Sequence, residues 1–118
     1  MRKGEMFLSS EKKNNILIEK VNLKRATAKE AEEFKKLILN EIDKGVKKII
    51  IDLSKCQFMD SSFLGSIIAI YKKLSESFGE LKLVVSHPDI KILLEITSIN
   101  KFIDIFETRK DTLNSFNK

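Results

Sequence analysis

The fold is decided by KIIIDL (residues 48–53) and FMDSSFLG (residues 58–65), two neighbouring segments near the middle of the chain. The first is a continuous apolar run, which is typical of a parallel strand covered on both faces. The second opens a long amphipathic stretch that ends near Ser77, so it predicts the beginning of a helix. A buried strand followed closely by a helix is the repeating unit of an α/β fold.

Two strands and a helix are predicted before this pair of segments. Glu5–Ser9 predicts a short edge strand, residues 10–15 a polar turn, and Ile16–Val21 a strand rich in β-branched residues. Thr27-Ala28-Lys29-Glu30 has the spacing of a capping box, and apolar residues at helical spacing follow it. Gly45 predicts the end of that helix.

The second half of the chain predicts three helices that alternate with strands. The core stripe of the first of these helices is predicted at Leu64, Ile67, Ile68, Tyr71, Leu74 and Phe78. Gly79 predicts its end, Leu81–Val85 the next strand, and Asp89–Thr97 a third helix. Lys101–Phe106 predicts a last short strand, and Thr108 the cap of a final helix.

The predicted order of elements is therefore β-β-α-β-α-β-α-β-α. This order predicts an α/β fold with a mostly parallel central sheet of about four to five strands and four helices. We expect one domain over residues 1–118, with frayed ends at residues 1–4 and 115–118.

The charge pattern argues against binding of nucleic acid. The chain has 22 basic and 17 acidic residues and a net charge of +5. Only Arg2, Arg25 and Arg109 are arginines, and the lysines are scattered among glutamates, as on ordinary solvated helices. We therefore expect a partner other than DNA or RNA.

Several site types are excluded because the chain has one cysteine and one histidine. Cys56 cannot form an internal disulfide, and we expect it to fill the core in a reducing, cytoplasmic setting. His87 precedes Pro88 and predicts a helix start. We expect no metal site, no catalytic triad and no cofactor. No signal peptide or long apolar run is present, so we expect no membrane insertion.

The serines of the second segment form the candidate site. A hydroxyl at a helix N-terminus suits a phosphoryl group, because free N–H groups and the positive end of the helix dipole lie there. Ser61 is the predicted acceptor, and Ser62 is the second choice because it lies inside the first turn. The alternative is that Asp60 or Ser61 only caps the helix.

A partner surface is predicted beside the serines. Phe63, Ser66, Ile70 and Lys73 follow helical spacing, and an exposed Phe63 and Ile70 would form an apolar ridge for another protein. The alternative is that Ile70 packs under a neighbouring helix.

Phe58-Met59-Asp60-Ser61-Ser62-Phe63-Leu64-Gly65 resembles the Asp-Ser-Ser/Thr-Gly-Leu-Gly turn of the STAS domain, the domain of sulfate transporters and anti-sigma factor antagonists. The chain looks like the small free-standing antagonists of bacteria. The resemblance implies that the unphosphorylated protein binds an anti-sigma factor with serine kinase activity and frees a sigma factor. It also implies that this kinase phosphorylates Ser61, that phosphorylation ends binding, and that a phosphatase reverses it.

The resemblance thus implies a regulator of transcription that is not an enzyme, and we expect a monomer or weak dimer. The predicted partner-binding residues are Asp60, Ser61, Ser62, Phe63, Ser66, Ile70 and Lys24.

Two positions depart from the family pattern and keep an alternative open. Phe63 replaces a glycine, and Asn22-Leu23-Lys24-Arg25 replaces an acidic residue after the second strand. These changes favour a STAS scaffold, or a regulatory subunit of a larger transport or stress-signalling assembly, that works without phosphorylation. A receiver domain phosphorylated on Asp52 is disfavoured, because the loop at residues 22–25 lacks the acidic pair that holds Mg²⁺. We expect Asp52 to make loop hydrogen bonds.

Overall fold

The computed structural model describes residues 7–116 and contains seven strands and four helices. The strands are β1 (Leu8–Lys13), β2 (Ile16–Val21), β3 (Arg25–Ala26), β4 (Lys48–Asp52), β5 (Phe58–Met59), β6 (Glu80–Val84) and β7 (Asp104–Phe106). The helices are α1 (Ala28–Asp43), α2 (Ser61–Glu76), α3 (Pro88–Ile96) and α4 (Arg109–Ser115). The predicted alternation of strands and helices is confirmed, with β3 and β5 as additions.

The central sheet has five strands in the order β1-β2-β4-β6-β7. β1 is antiparallel to β2, and every other neighbouring pair in this sheet is parallel. The predicted mostly parallel sheet with four helices is therefore confirmed. β3 and β5 form a separate parallel pair. β3 lies in the loop before α1, and β5 lies in the loop before α2. Two-residue strands are too short to show a periodic pattern, so the sequence does not predict them.

The first hairpin is tighter than the sequence predicts. The chain stays in β1 through Lys13, and only Asn14 and Asn15 form the turn, with φ of 53° and 65°. Two consecutive residues with positive φ match the twist of a hairpin, and asparagine tolerates this conformation well. The predicted polar turn over residues 10–15 is thus wrong for its first four positions. Of the predicted strand at Glu5–Ser9, the first two residues lie outside the described part of the chain.

The ends of α1 are confirmed as predicted. The Thr27 side chain accepts a hydrogen bond from the Lys29 backbone N–H at 3.3 Å, and Glu30 accepts one from the Thr27 N–H at 3.1 Å. Gly45 has φ of 103° and follows the C-cap, a conformation that glycine adopts without strain.

The end of α2 differs from the prediction. Phe78, assigned to the core stripe, has φ of 60° and is 96% exposed. Gly79 is a glycine for a different reason, since a Cβ there would lie 2.6 Å from the Lys47 carbonyl oxygen. Close approach of two backbones, and not a left-handed turn, therefore explains this glycine.

The two faces of the sheet carry separate cores. The larger core lies between the sheet and the first three helices, and it includes Cys56, which is fully buried as predicted. The smaller core lies under α4. It consists of Ile16, Ile18, Ile50 and Val84, with Leu113 and Phe116 packed against them.

Polar contacts dock α4 on this second face. The Arg109 guanidinium donates to Asp52 at 2.9 and 3.2 Å and also pairs with Glu11 on β1. At the other end of α4, buried Lys82 donates to the Ser115 hydroxyl at 2.8 Å. Ser115 and Phe116 thus belong to a packed helix end, while the other residues predicted to fray, 1–4 and 117–118, lie outside the described residues.

The last strand is shorter than predicted. A 3-10 turn occupies Ile99–Lys101, and β7 begins only at Asp104. His87 is the N-cap of α3 and Thr108 that of α4, so both predicted helix starts are confirmed. Within residues 7–116, no helix combines the length and the apolar character that crossing a bilayer requires.

Candidate functional site

The two serines occupy the first two positions of α2 and are both exposed. Asp60 is the N-cap, with extended backbone and a side chain that accepts from the Phe63 N–H. The capping role that competed with phosphorylation therefore belongs to Asp60. Neither serine hydroxyl is hydrogen-bonded to another residue of the described segment. The Ser61 hydroxyl is accessible to a reagent or to a partner.

The Asp60 carboxylate caps two helices at once. Its Oδ1 accepts from the Phe63 N–H of α2 at 3.0 Å, and its Oδ2 accepts from the Ala28 N–H of α1 at 2.8 Å. These backbone hydrogen bonds, led by the one from Phe63, hold the pKa of Asp60 below its ordinary value. Asp60 is therefore an ionised cap and a poor proton acceptor at neutral pH.

The predicted apolar ridge is wrong, because Phe63 and Ile70 face inward, which agrees with the alternative that Ile70 is packed; Lys73 of the same set is exposed. Phe63 and Ile70 are fully buried, and Ser66 is 5% exposed. The Phe63 ring stacks on Phe34 of α1, with ring centroids 4.5 Å apart, and the Ser66 hydroxyl donates to the Ala31 carbonyl at 3.0 Å. Because α2 packs against α1 as well as against the sheet, its buried arc is wider than one stripe.

The surface beside the serines is formed by loop residues and not by that ridge. The Asp60 N–H donates to the Ala26 carbonyl at 3.1 Å, so β3 lies directly against the start of α2. Lys24, which was predicted to contact a partner, is exposed at this end of the molecule. The Arg25 guanidinium lies 4.1 Å from the centre of the Phe58 ring, which is 40% exposed.

Arg25 and Phe58 are surface residues that the sequence patterns did not identify. They face each other across the β3–β5 pair, where each strand has two residues. No periodic signal exists in so short a pair. An aromatic residue two positions before the Asp-Ser-Ser segment was the available hint.

Asp52 is held by structural contacts. Its Oδ1 accepts from the Ser54 N–H at 2.9 Å, so the predicted loop hydrogen bond is confirmed. Burial raises the pKa of Asp52, but the hydrogen bonds from Ser54 and the pairing with Arg109 outweigh burial and lower it overall. Among residues 7–116, no three histidine, cysteine or acidic side chains lie close enough together to hold a metal ion.

Comparison with known families decides the class of this domain. The profile of the STAS domain matches residues 9–112, nearly the full length of the chain. This protein belongs to the STAS domain family. The expected resemblance is confirmed over residues 9–112, from within β1 to within α4.

Curated relatives of this STAS domain are described as anti-sigma factor antagonists. A Thermotoga maritima protein, described provisionally as such an antagonist, is 31% identical over 91 residues, which cover 76% of this chain and 80% of the relative. The anti-sigma F factor antagonist of Paenibacillus polymyxa is 32% identical over 65 residues, covering 55% of this chain and 56% of the relative. By sequence, this STAS domain therefore belongs to the anti-sigma factor antagonist family.

Solved structures confirm the fold. An anti-sigma factor antagonist structure from Thermotoga maritima, itself provisional in function, superposes with a TM-score of 0.87 at 26% identity and covers 97% of both chains. The anti-sigma factor antagonist SpoIIAA has been solved unphosphorylated, with a TM-score of 0.76 at 17% identity, covering 93% of this chain and 97% of that one. The phosphorylated form from Bacillus gives 0.74 at 16% identity, covering 92% and 98%.

Proposed function

We propose that this STAS domain is an anti-sigma factor antagonist that binds an anti-sigma factor with serine kinase activity and is released when Ser61 is phosphorylated. The observation that carries the proposal is the placement of Ser61. Its hydroxyl is exposed at the first position of α2, directly after the residue that caps the helix. Partner switching of this kind would regulate transcription in the cytoplasm, with no DNA or RNA contact by this chain.

The chemistry of the transfer assigns catalysis to the partner. The Ser61 oxygen attacks the γ-phosphorus of ATP, the bond to ADP breaks, and the hydroxyl proton leaves to a base on the kinase. Asp60 is unsuited to act as that base, because both of its oxygens already accept backbone N–H groups. The chain contributes an accessible hydroxyl on a rigid helix start, which is a substrate role and not an enzymatic one.

Charge explains why phosphorylation would end binding. A phosphoserine carries about −1.5 to −2 charges at neutral pH, and here it would follow the ionised Asp60. The Phe63 and Ala28 N–H groups, which would otherwise stabilise a phosphate, are already taken by Asp60. The new charge would therefore face the partner, and a phosphatase would remove it to restore binding.

Incubation with ATP and the cognate anti-sigma factor should add one phosphate, located by mass spectrometry on Ser61. The Ser61→Ala variant should stay unmodified, whereas the matched Ser62→Ala variant should be modified like the parent. Phosphate found only on Ser62 would contradict the choice of acceptor. No phosphate on either serine, with a complex that still forms, would contradict the switch.

Gly65 offers a test of the docking face. It is exposed one turn after Ser61, and a Cβ added there would meet no atom within 4 Å. Gly65→Ala should raise the free energy of unfolding by about 0.5–1 kcal/mol, since glycine is a poor helix former. If partners approach the α2 backbone here, the same variant should bind the anti-sigma factor more weakly.

Ser75→Ala is the matched control for Gly65→Ala, because Ser75 is exposed at the far end of the same helix. It should leave affinity unchanged when both are measured by isothermal titration calorimetry. Unchanged affinity in Gly65→Ala would place the partner elsewhere.

A scaffold that works without phosphorylation is the second candidate. Its support is the pair of exposed cations, Lys24 and Arg25, in the loop where the family carries an acidic residue. The substitution at Phe63 no longer supports it, because the buried ring cannot obstruct a partner. A Ser61 that stays unmodified in cells while the protein purifies in a fixed assembly would favour this candidate.

The expected oligomeric state is a monomer or weak dimer, and sedimentation would test it.

A further inference from the structure

We propose that Asp60 is a positioning residue that latches the first turn of α1 to α2, and that a phosphate on Ser61 releases this latch. The inference rests on the proposed function of Ser61 and extends it from one helix to two. The switch would then change the Lys24–Thr27 segment as well as the charge at Ser61.

The latch consists of a hydrogen bond between two helices that are distant in sequence. Asp60 Oδ2 accepts from the Ala28 N–H at 2.8 Å, across 32 positions of the chain. Thr27, the N-cap of α1, uses its side chain for the Lys29 N–H instead. The Ala28 N–H therefore donates to Asp60, the N-cap of α2, and not to Thr27, the N-cap of α1.

Below this hydrogen bond, α1 and α2 are fixed together by buried contacts. The Ser66 hydroxyl donates to the Ala31 carbonyl, and Phe34 stacks on Phe63 one turn further along α1. These side chains are nearly or fully buried, so the contacts persist when the surface charge changes. Any adjustment between the helices is confined to the first turn of α1.

A phosphate on Ser61 would place a second anion beside the Asp60 carboxylate, which holds one backbone N–H group of each helix, and would repel that carboxylate. Both are anions at the positive end of α2 and are adjacent in sequence, and Asp60 alone also contacts the first N–H of α1. The Phe63 N–H belongs to the same helix start as Asp60 and moves with it. The Ala28 N–H belongs to another element, so the hydrogen bond across the helices is the one that yields.

The Lys24–Thr27 segment would respond because β3 ends directly before the latch. Arg25 and Ala26 pair with Phe58 and Met59, and the Ala26 carbonyl accepts from the Asp60 N–H. Loss of the Ala28 contact would loosen this segment from its C-terminal side. The exposed cations at its start would then present a different arrangement to the anti-sigma factor.

The experiment uses phosphoserine introduced at position 61 during protein synthesis, so that it depends on no kinase. Amide NMR spectra of the modified and unmodified proteins should differ at Ala28, Lys29 and Glu30 as well as at Phe63. The amide of Ile50, buried in the sheet, should not move. Shifts restricted to α2 would overturn the latch and leave the phosphorylation proposal intact.

Ala28→Pro supplies the decisive variant. Proline fits the first position of a helix, and Thr27 before it is extended (φ −133°, ψ −177°), as a residue before proline must be. This variant removes the Ala28 N–H, so phosphoserine at position 61 should no longer shift Lys29 and Glu30, although Phe63 still responds. Ala28→Ser, which keeps the N–H, should retain the full response. An unchanged response at Lys29 and Glu30 in Ala28→Pro would overturn the proposal.

Discussion

Replacing Phe63 with alanine should lower the free energy of unfolding by about 3–5 kcal/mol, the usual cost of removing a buried aromatic ring. Phe63 is fully buried and stacks on Phe34, so the substitution leaves a cavity between α1 and α2 that the packed helices cannot close. Urea denaturation followed by circular dichroism measures the effect. Since small domains have only about 5–15 kcal/mol in total, the loss should be evident at room temperature.

Phe58→Ala is the matched control for this prediction. It removes the same kind of side chain from an exposed position, two residues before Asp60, the N-cap of α2. The main contact that is lost is the stacking of the ring on Arg25. The expected loss is about 1 kcal/mol or less. A double-mutant cycle of Phe63→Ala with Phe34→Ala should give a coupling of about 0.5–1.5 kcal/mol. If Phe63→Ala proved nearly neutral while partner binding failed, the ring would belong to the surface.

Removing the Arg109 side chain should produce the second large effect. Arg109→Ala leaves the carboxylate of Asp52, whose side chain is 5% exposed, without its cationic partner. Breaking a buried ion pair on one side costs about 3–5 kcal/mol, and the low end applies because the Arg109 side chain is one-third exposed. Thermal and urea unfolding should both report this loss, and α4 should be the element most affected.

Two further variants separate charge from geometry at this pair. Arg109→Lys keeps the positive charge but loses the planar fork that donates twice to Asp52, so it should fall between the parent and Arg109→Ala. Adding Asp52→Asn to Arg109→Ala should restore part of the stability, because no unpaired charge remains. A double variant less stable than Arg109→Ala would contradict the ionic explanation.

The pair also predicts a direction for pH dependence. The pKa of Asp52 is lowered in the folded protein, so the ionised carboxylate favours folding above the pKa of the unfolded chain, about 3.9. This contribution is lost as the pH falls through the lower pKa of the folded state. The acid-induced decrease in stability should be smaller in Arg109→Ala than in the parent.

Local sequence signals predicted the parts of this fold that local physics decides. The capping box at Thr27–Glu30 and the glycine at Gly45 are confirmed, because caps depend on residues within one turn. The apolar run at Ile49–Ile51 is buried in the centre of the sheet, as its pattern predicts. The Asp-Ser-Ser segment lies at the beginning of a helix for the same reason.

These local signals could not predict contacts between segments that are distant in sequence. Helical spacing gave α2 one core stripe, yet two neighbours share its surface, so Ile70 is buried as well. Phe78 is exposed because α2 ends at Glu76 and the chain turns with positive φ at Phe78. Nothing near Ala28 shows that its N–H meets Asp60. Likewise Arg109 reaches Asp52 across 57 positions, and only the assembled sheet brings them together.

The two-asparagine turn between β1 and β2 has a consequence for the order of folding. It joins its strands through Asn14 and Asn15 alone, whereas β2 reaches β4 only after the whole of α1 has been traversed. Closing a short loop loses less chain entropy than closing a long one, and isolated hairpins form within about 1–10 μs. Parallel pairing of β4 with β2 and β6 is non-local and therefore slower. We expect the hairpin to supply an early template edge, onto which the remaining strands are added as their connecting helices dock.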